Sequence, residues 1–184
     1  MEQSVAIWIL IILALATASL PFFVERPLLV LPWAQKGEDG RPGWLRLLES
    51  IVFFAVLAGL HYAILIWVGG SLVIPSDSAS VGLFVLKIIV LAVAVVLVLS
   101  YAGWRDLNKS TRKPFISRLL EVLVLYFMLG TLGFAFEINI GNFFPKTWEF
   151  YLITLCLYLV LAYPGFVFRY LLRRHYRHSN DSPE

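Results

Sequence analysis

Two pairs of opposite charges recur at one spacing along the chain: Arg46 with Glu49, and Arg118 with Glu121. Three residues apart on a helix, the members of each pair share a face, and a carboxylate in a first turn meets the positive end of the helix dipole. Such pairs set the depth of a helix at a membrane surface; buried, they would handle protons. His61 is the most versatile group, because a neutral imidazole shuttles protons or binds a quinone carbonyl. Its plainer use is to pack beside Tyr62 and bond a neighbouring helix. Lys87 is a cation among apolar residues, with a stem long enough to snorkel to an interface. Glu137 and Glu149 bracket Lys146 and Trp148, a composition that suits an interface cluster better than an acid/base pair.

Beyond these groups the sequence offers little chemistry. Cys156 is the only cysteine, so neither an internal disulfide nor a cysteine metal cluster can form. His175 and His178 are three apart, but Arg173, Arg174 and Arg177 surround them and disfavour a cation. No phosphate-binding glycine loop, zinc-protease helix motif or nucleophile elbow occurs. The expectation is a protein that is not an enzyme, with no catalytic residue, cofactor or metal.

The elements that must position these groups follow from the distribution of charge. Of 184 residues 60% are apolar and 15% charged, with a mean hydropathy of +0.81, whereas soluble domains carry about 25% charge. An ordinary soluble enzyme is excluded. Five apolar runs, 5–24, 47–68, 81–101, 119–136 and 150–168, hold only three charges between them: Glu49, Lys87 and Glu121. Each run is close to the roughly 20 residues that cross a 30 Å hydrocarbon layer as helix. They are apolar all round, and Ile88 to Leu99 is unbroken, so lipid is the solvent they suit. The Val-rich stretches would read as strand in water, but a bilayer admits only helices and closed barrels, and barrel alternation is absent. The predicted fold is an all-α integral membrane protein, one domain over residues 1–178 with a disordered tail at 179–184.

Orientation follows from the basic residues. Arg26, Lys36, Arg41 and Arg46 lie between the first two runs, five more between the third and fourth, and four after the fifth. Only Lys146 lies on the opposite side. The rule that keeps Lys and Arg cytoplasmic places the N-terminus outside and the C-terminus inside. All six tryptophans fall near run ends, where indole prefers the headgroups. Ala16, Thr17 and Ala18 resemble a signal-cleavage site, but no Lys or Arg precedes the first run, and a cleaved signal would export four basic residues; a retained helix is expected. The net charge of +3 therefore argues for lipid headgroups as its counterpart and against nucleic acid.

Arg46 to Glu49 is identical to Arg118 to Glu121, and that register continues through Leu60 and Leu132 with seven identities in fifteen. Val98 to Trp104 also matches Val160 to Phe166. A parallel repeat of a two-helix hairpin, following one unpaired helix, is the reading. Small residues mark candidate helix contacts: Ala55, Ala58 and Gly59 in the second helix, Gly130 and Gly133 in the fourth. Pro164 and Gly165 allow a kink late in the fifth.

Ser19 to Arg26, Arg118 to Glu137 and Trp148 to Tyr170 resemble a family of small uncharacterised proteobacterial inner-membrane proteins about half to two-thirds this length. Relative to that pattern, residues 43–107 look like an added copy of the last hairpin. Family members are commonly encoded beside the genes for respiratory NADH:quinone oxidoreductase. The resemblance thus implies a location in the bacterial inner membrane and a role beside that complex, and supplies no catalytic residues. The expected function is a non-catalytic accessory or assembly component that docks on respiratory membrane subunits, with self-association open to the same surfaces. The rival is a small transporter or channel between the repeated hairpins, using His61, Lys87 and Glu121.

Overall fold

In a computed structural model of the chain, which describes residues 3–24, 26–33, 42–71, 78–105, 114–141 and 144–168, five helices account for most of the backbone. They are α1 (Gln3–Phe23), α2 (Gly43–Ile64), α3 (Ser78–Arg105), α4 (Phe115–Ile140) and α5 (Trp148–Val167). A π-helical turn, Leu65–Gly69, continues α2. All five helices are long and apolar enough to cross a membrane. The tail at 179–184 lies outside the described residues.

Helices extend past the apolar runs because their backbones need not stop where hydrocarbon does. Prolines set two of the starts: Pro42 and Pro114 cap α2 and α4, where the missing N–H is no loss. Each helix thus begins four residues before its apolar run, and Arg46 and Arg118 each become the fourth residue of a helix. Glu49 and Glu121 fall in second turns, which corrects the first-turn placement expected from the runs. At the far end of α4, Gly141 adopts the left-handed conformation (φ 75°) that closes the helix, donating its N–H to the Ile138 carbonyl.

Neighbours along the chain are not the principal partners in space. α1 packs most extensively on α5 and α4, the last hairpin, while α2 and α3 join this trio mainly through the π-turn. Two apolar cores result, one at each end of the bundle. The first gathers Ala18 and Phe22 of α1, Phe53 and Leu57 of α2, Leu99 of α3, Val122 and Leu125 of α4, and Tyr158 of α5. The second joins Ala6, Ile64, Val68, Phe84, Ala135 and Phe136. Helix α3 is the least enclosed: 11% of its span is buried, against 33% for α4.

The connection after α1 departs from expectation. Residues between the first two apolar runs, beside the basic Arg26, turn back into the bundle, with Pro27, Leu28, Leu29, Val30 and Leu31 all buried in irregular backbone. Backbone outside a helix at such a site must be shielded by protein. Here it is walled by α2, α3 and α4 through the first core.

Candidate functional site

Charged side chains meet at the end of the bundle where α1 stops and α2 and α4 start. Arg46, Ser50, Ser117, Arg118 and Glu121 are all buried there, Glu121 and Arg118 to 1% and 3% exposure. Burying ions is costly unless they are paired and hydrogen-bonded, so their partners define their role. Glu121 accepts the backbone N–H of Leu28 at 2.8 Å, holding the re-entering segment against α4. Arg118 directs its guanidinium to the carbonyls of Pro21 and Phe22, at 3.5 and 3.4 Å, in the last turn of α1. A cation there meets the helix dipole's negative end and carbonyls that lack helical partners. Arg118 and Glu121 therefore fasten α1 and its exit to α4 from positions buried inside the bundle. Glu49 is half-buried.

Glycines allow the end of α1 and its exit to come close to two other helices. A Cβ at Gly165 of α5 would stand 3.1 Å from the Ser19 carbonyl oxygen and 3.2 Å from Phe22 Cβ. One at Gly103 of α3 would stand 3.3 Å from Arg26 Cβ. Gly133 faces Leu10 at an ordinary 3.7 Å. Among the described residues the other small positions take no such neighbour: Ala55 and Ala58 are exposed, and nothing lies within 4 Å of a Cβ built at Gly59 or Gly130. Pro164, inside α5, is exposed.

Hydroxyl groups link the helices across their middles. Tyr158 of α5 donates to Thr17 of α1 at 2.9 Å, and Thr17 donates in turn to the Leu13 carbonyl. The Tyr126 hydroxyl of α4 is 2.9 Å from the Tyr151 carbonyl and 2.8 Å from Thr154 Oγ1. At the end remote from Arg118, Asn139 donates through Nδ2 to the carbonyls of Val68 and Ser71, where the π-turn ends. Lys87, half-buried, donates to Ser71 Oγ at 2.8 Å, so its ammonium is engaged by the end of the second span. Glu137 pairs with Lys146 at 3.0 Å, and Lys146 also lies over the Phe150 ring. Asn139 carried no signal in the sequence, since a lone Asn near a helix end reads as a polar border.

His61 is placed apart from all these contacts. Its Nδ1 lies 2.7 Å from the Leu57 carbonyl one turn back on α2, not on a neighbouring helix. The ring lines a groove of about 790 Å³ between α2 and α4, closed at one side by Leu29, Leu31 and Trp33 and lined otherwise by apolar side chains with Ser50 and Thr131. A second groove, about 710 Å³, runs between α1, α4 and α5 past Gly130 and Gly133. The structure therefore does not bring His61, Lys87, Glu49 and Glu121 into one site. Among the described residues no three His, Cys, Asp or Glu side chains come together as metal ligands would.

Comparison with known families places this architecture. The family model described as a protein of unknown function (DUF2818) matches residues 6–70 and 80–173, and the chain belongs to that family. Searches of curated proteins and of solved structures gave no match.

Proposed function

We propose that this protein is a non-catalytic, multi-pass component of the bacterial inner membrane that docks on a larger respiratory complex as an accessory or assembly subunit. The observation that carries this reading is the disposition of α2 and α3. Ala55, Ala58 and Gly59 present an open small-residue face within the α2 span, and α3 buries only 11% of its span inside the chain. Small residues let a foreign helix approach closely in lipid, where packing supplies the association energy. The polar groups at the bundle ends are engaged by backbone and side chains of the chain itself, as a scaffold requires. The choice of a respiratory partner rests on the gene association that the family resemblance implies. Purification in mild detergent followed by mass spectrometry of co-purifying proteins tests the proposal: respiratory membrane subunits are expected, and a chain that emerges alone overturns it.

The finer topology belongs to the same reading. The basic end faces the cytoplasm and the N-terminus faces outward, supported by thirteen Lys and Arg against one. The α2–α3 and α4–α5 hairpins are a parallel repeat, supported by Pro42 and Pro114 capping at equivalent positions, by burial of both Arg46 and Arg118, and by matched glycines 165 and 103 approaching the end of α1 and the exit that follows it. Reporter fusions after Ser76, Asn108 and Glu184 should read outside, inside and inside; a cytoplasmic signal at Ser76 overturns the arrangement.

A transport pathway between the hairpins is the second reading, favoured by the groove that His61 lines. Its lining is dominated by apolar side chains, whereas solute pathways place several ionisable groups near the midplane. Changing His61 and Lys87 to leucine should leave vesicle fluxes unaltered if the accessory reading is right.

A further inference from the structure

The groove between α2 and α4 carries a hydrogen-bonding pattern that selects a ligand class. A carbonyl can only accept, so the 2.7 Å contact between His61 Nδ1 and the Leu57 carbonyl puts the proton on Nδ1. In the neutral ring Nε2 is then a bare acceptor. Thr131, on the facing helix and lining the same groove, spends its proton in the same way, donating to the Phe127 carbonyl at 2.8 Å. Its remaining lone pairs are acceptors too. Two helices thus present acceptors at a depth where acceptors gain from a partner, while Ser50, a hydroxyl that can donate, lines the groove about 16 Å away along α2, and the Trp33 indole lines it as well.

We propose that this groove binds a membrane-soluble amphiphile with a hydroxyl head, which donates to His61 Nε2 or Thr131 Oγ1 while its apolar tail follows the groove toward Ser50 and Trp33. Several features fix the class. His61 lies eight residues before Gly69, about 12 Å from that end of the span, so a ligand must be lipid-soluble to arrive. From His61 back to Ser50 the groove runs roughly 16 Å along α2, room for a long tail and more than a solvent molecule needs. A carbonyl head, as in an oxidised quinone, offers an acceptor to two acceptors and is rejected. Alcohols and phenols offer the donor. The inference goes beyond the accessory role and does not depend on it, since the groove is formed within one chain.

The test uses the full chain in nanodiscs of phosphatidylethanolamine and phosphatidylglycerol. A photoreactive alkylphenol, with a diazirine in its tail, is cross-linked and the labelled residues are mapped by mass spectrometry. Label is expected on α2 and α4 at Leu57, Leu123 and Phe127. Competing para-dodecylphenol, the phenolic arm, and dodecanol, the aliphatic arm, should displace it at concentrations about fivefold or more below the O-methyl ether of the phenol, since one hydrogen bond is worth about that factor. Whichever arm competes better identifies the head as aromatic or aliphatic. At least one of His61→Leu and Thr131→Val should weaken the phenol about two- to tenfold, and both should leave the ether unchanged. If His61→Leu fails to fold, Thr131→Val carries the comparison. Leu123→Trp, which fills the groove, should abolish labelling with an unaltered melting profile. Equal competition by phenol and ether, or label outside α2, α4 and the groove-lining residues 29–33, would overturn the proposal.

Discussion

Glu121 and Leu28 are 93 residues apart in sequence, and the carboxylate of one accepts the backbone N–H of the other at 2.8 Å. That bond joins α4 to the buried segment after α1, so it should govern stability more than a surface charge would. Glu121→Ala leaves a buried N–H without its acceptor and is expected to cost about 1–3 kcal/mol, whereas Glu121→Gln keeps an acceptor oxygen and should cost less. Thermal unfolding of both variants in detergent measures the difference. Equal, negligible losses would show that the contact contributes nothing.

Gly165 and Gly130 make a matched pair for the packing of α1. A methyl group at position 165 would press on the Ser19 backbone, so Gly165→Ala should destabilise by about 1–3 kcal/mol. At position 130 no described residue lies within 4 Å of an added Cβ, and Gly130→Ala should be neutral or stabilise by up to about 1 kcal/mol through helix propensity. Unfolding in the same detergent compares them directly.

Tyr158→Phe removes the hydroxyl that bonds Thr17 and leaves the ring in the first core. Interhelical hydrogen bonds of this type average about 0.6 kcal/mol in membranes, so a small loss is expected. Thr17→Val should cost a similar amount. The double variant should lose less than the two combined, because both changes break one bond.

Asn139→Ala frees the carbonyls of Val68 and Ser71, where the π-turn ends. Hydrogen exchange of the amides from Leu65 to Ser71 should quicken, while those of α1 and α5 should not change. Uniform quickening would mean that Asn139 supports the whole bundle and not this turn alone.

The five spans were legible because lipid demands apolar residues all round, a signal that needs no knowledge of partners. Their ends were less so. Leu47 and Leu119 open the apolar runs, yet the backbone is already helical from Gly43 and Phe115, where Pro42 and Pro114 set the starts. This shift moved Glu121 from a first turn into a second turn, where it is buried in the bundle. Leu28 to Leu31 are apolar in plain view, but a run too short to span a membrane reads as loop when its neighbours are charged. Only the packing of α2, α3 and α4 around it gives it a place. His61 was legible as a polar group within a span; the direction of its hydrogen bond, which decides what it can bind, required the helix geometry.

Because α1 rests on α4 and α5, its assembly is a matter of timing. The ribosome releases Phe23 long before Val167, and at about 5–20 residues per second the interval is on the order of ten seconds. Throughout it α1 must stay inserted without the helices that will enclose it, while α2 and α3 enter the bilayer first. A first span free of charge from Gln3 to Phe23 can wait in lipid alone, and the arrival of Arg118 then secures its end. The order of the helices along the chain thus sets a delay in biogenesis, and the apolar first helix is what allows the protein to tolerate it.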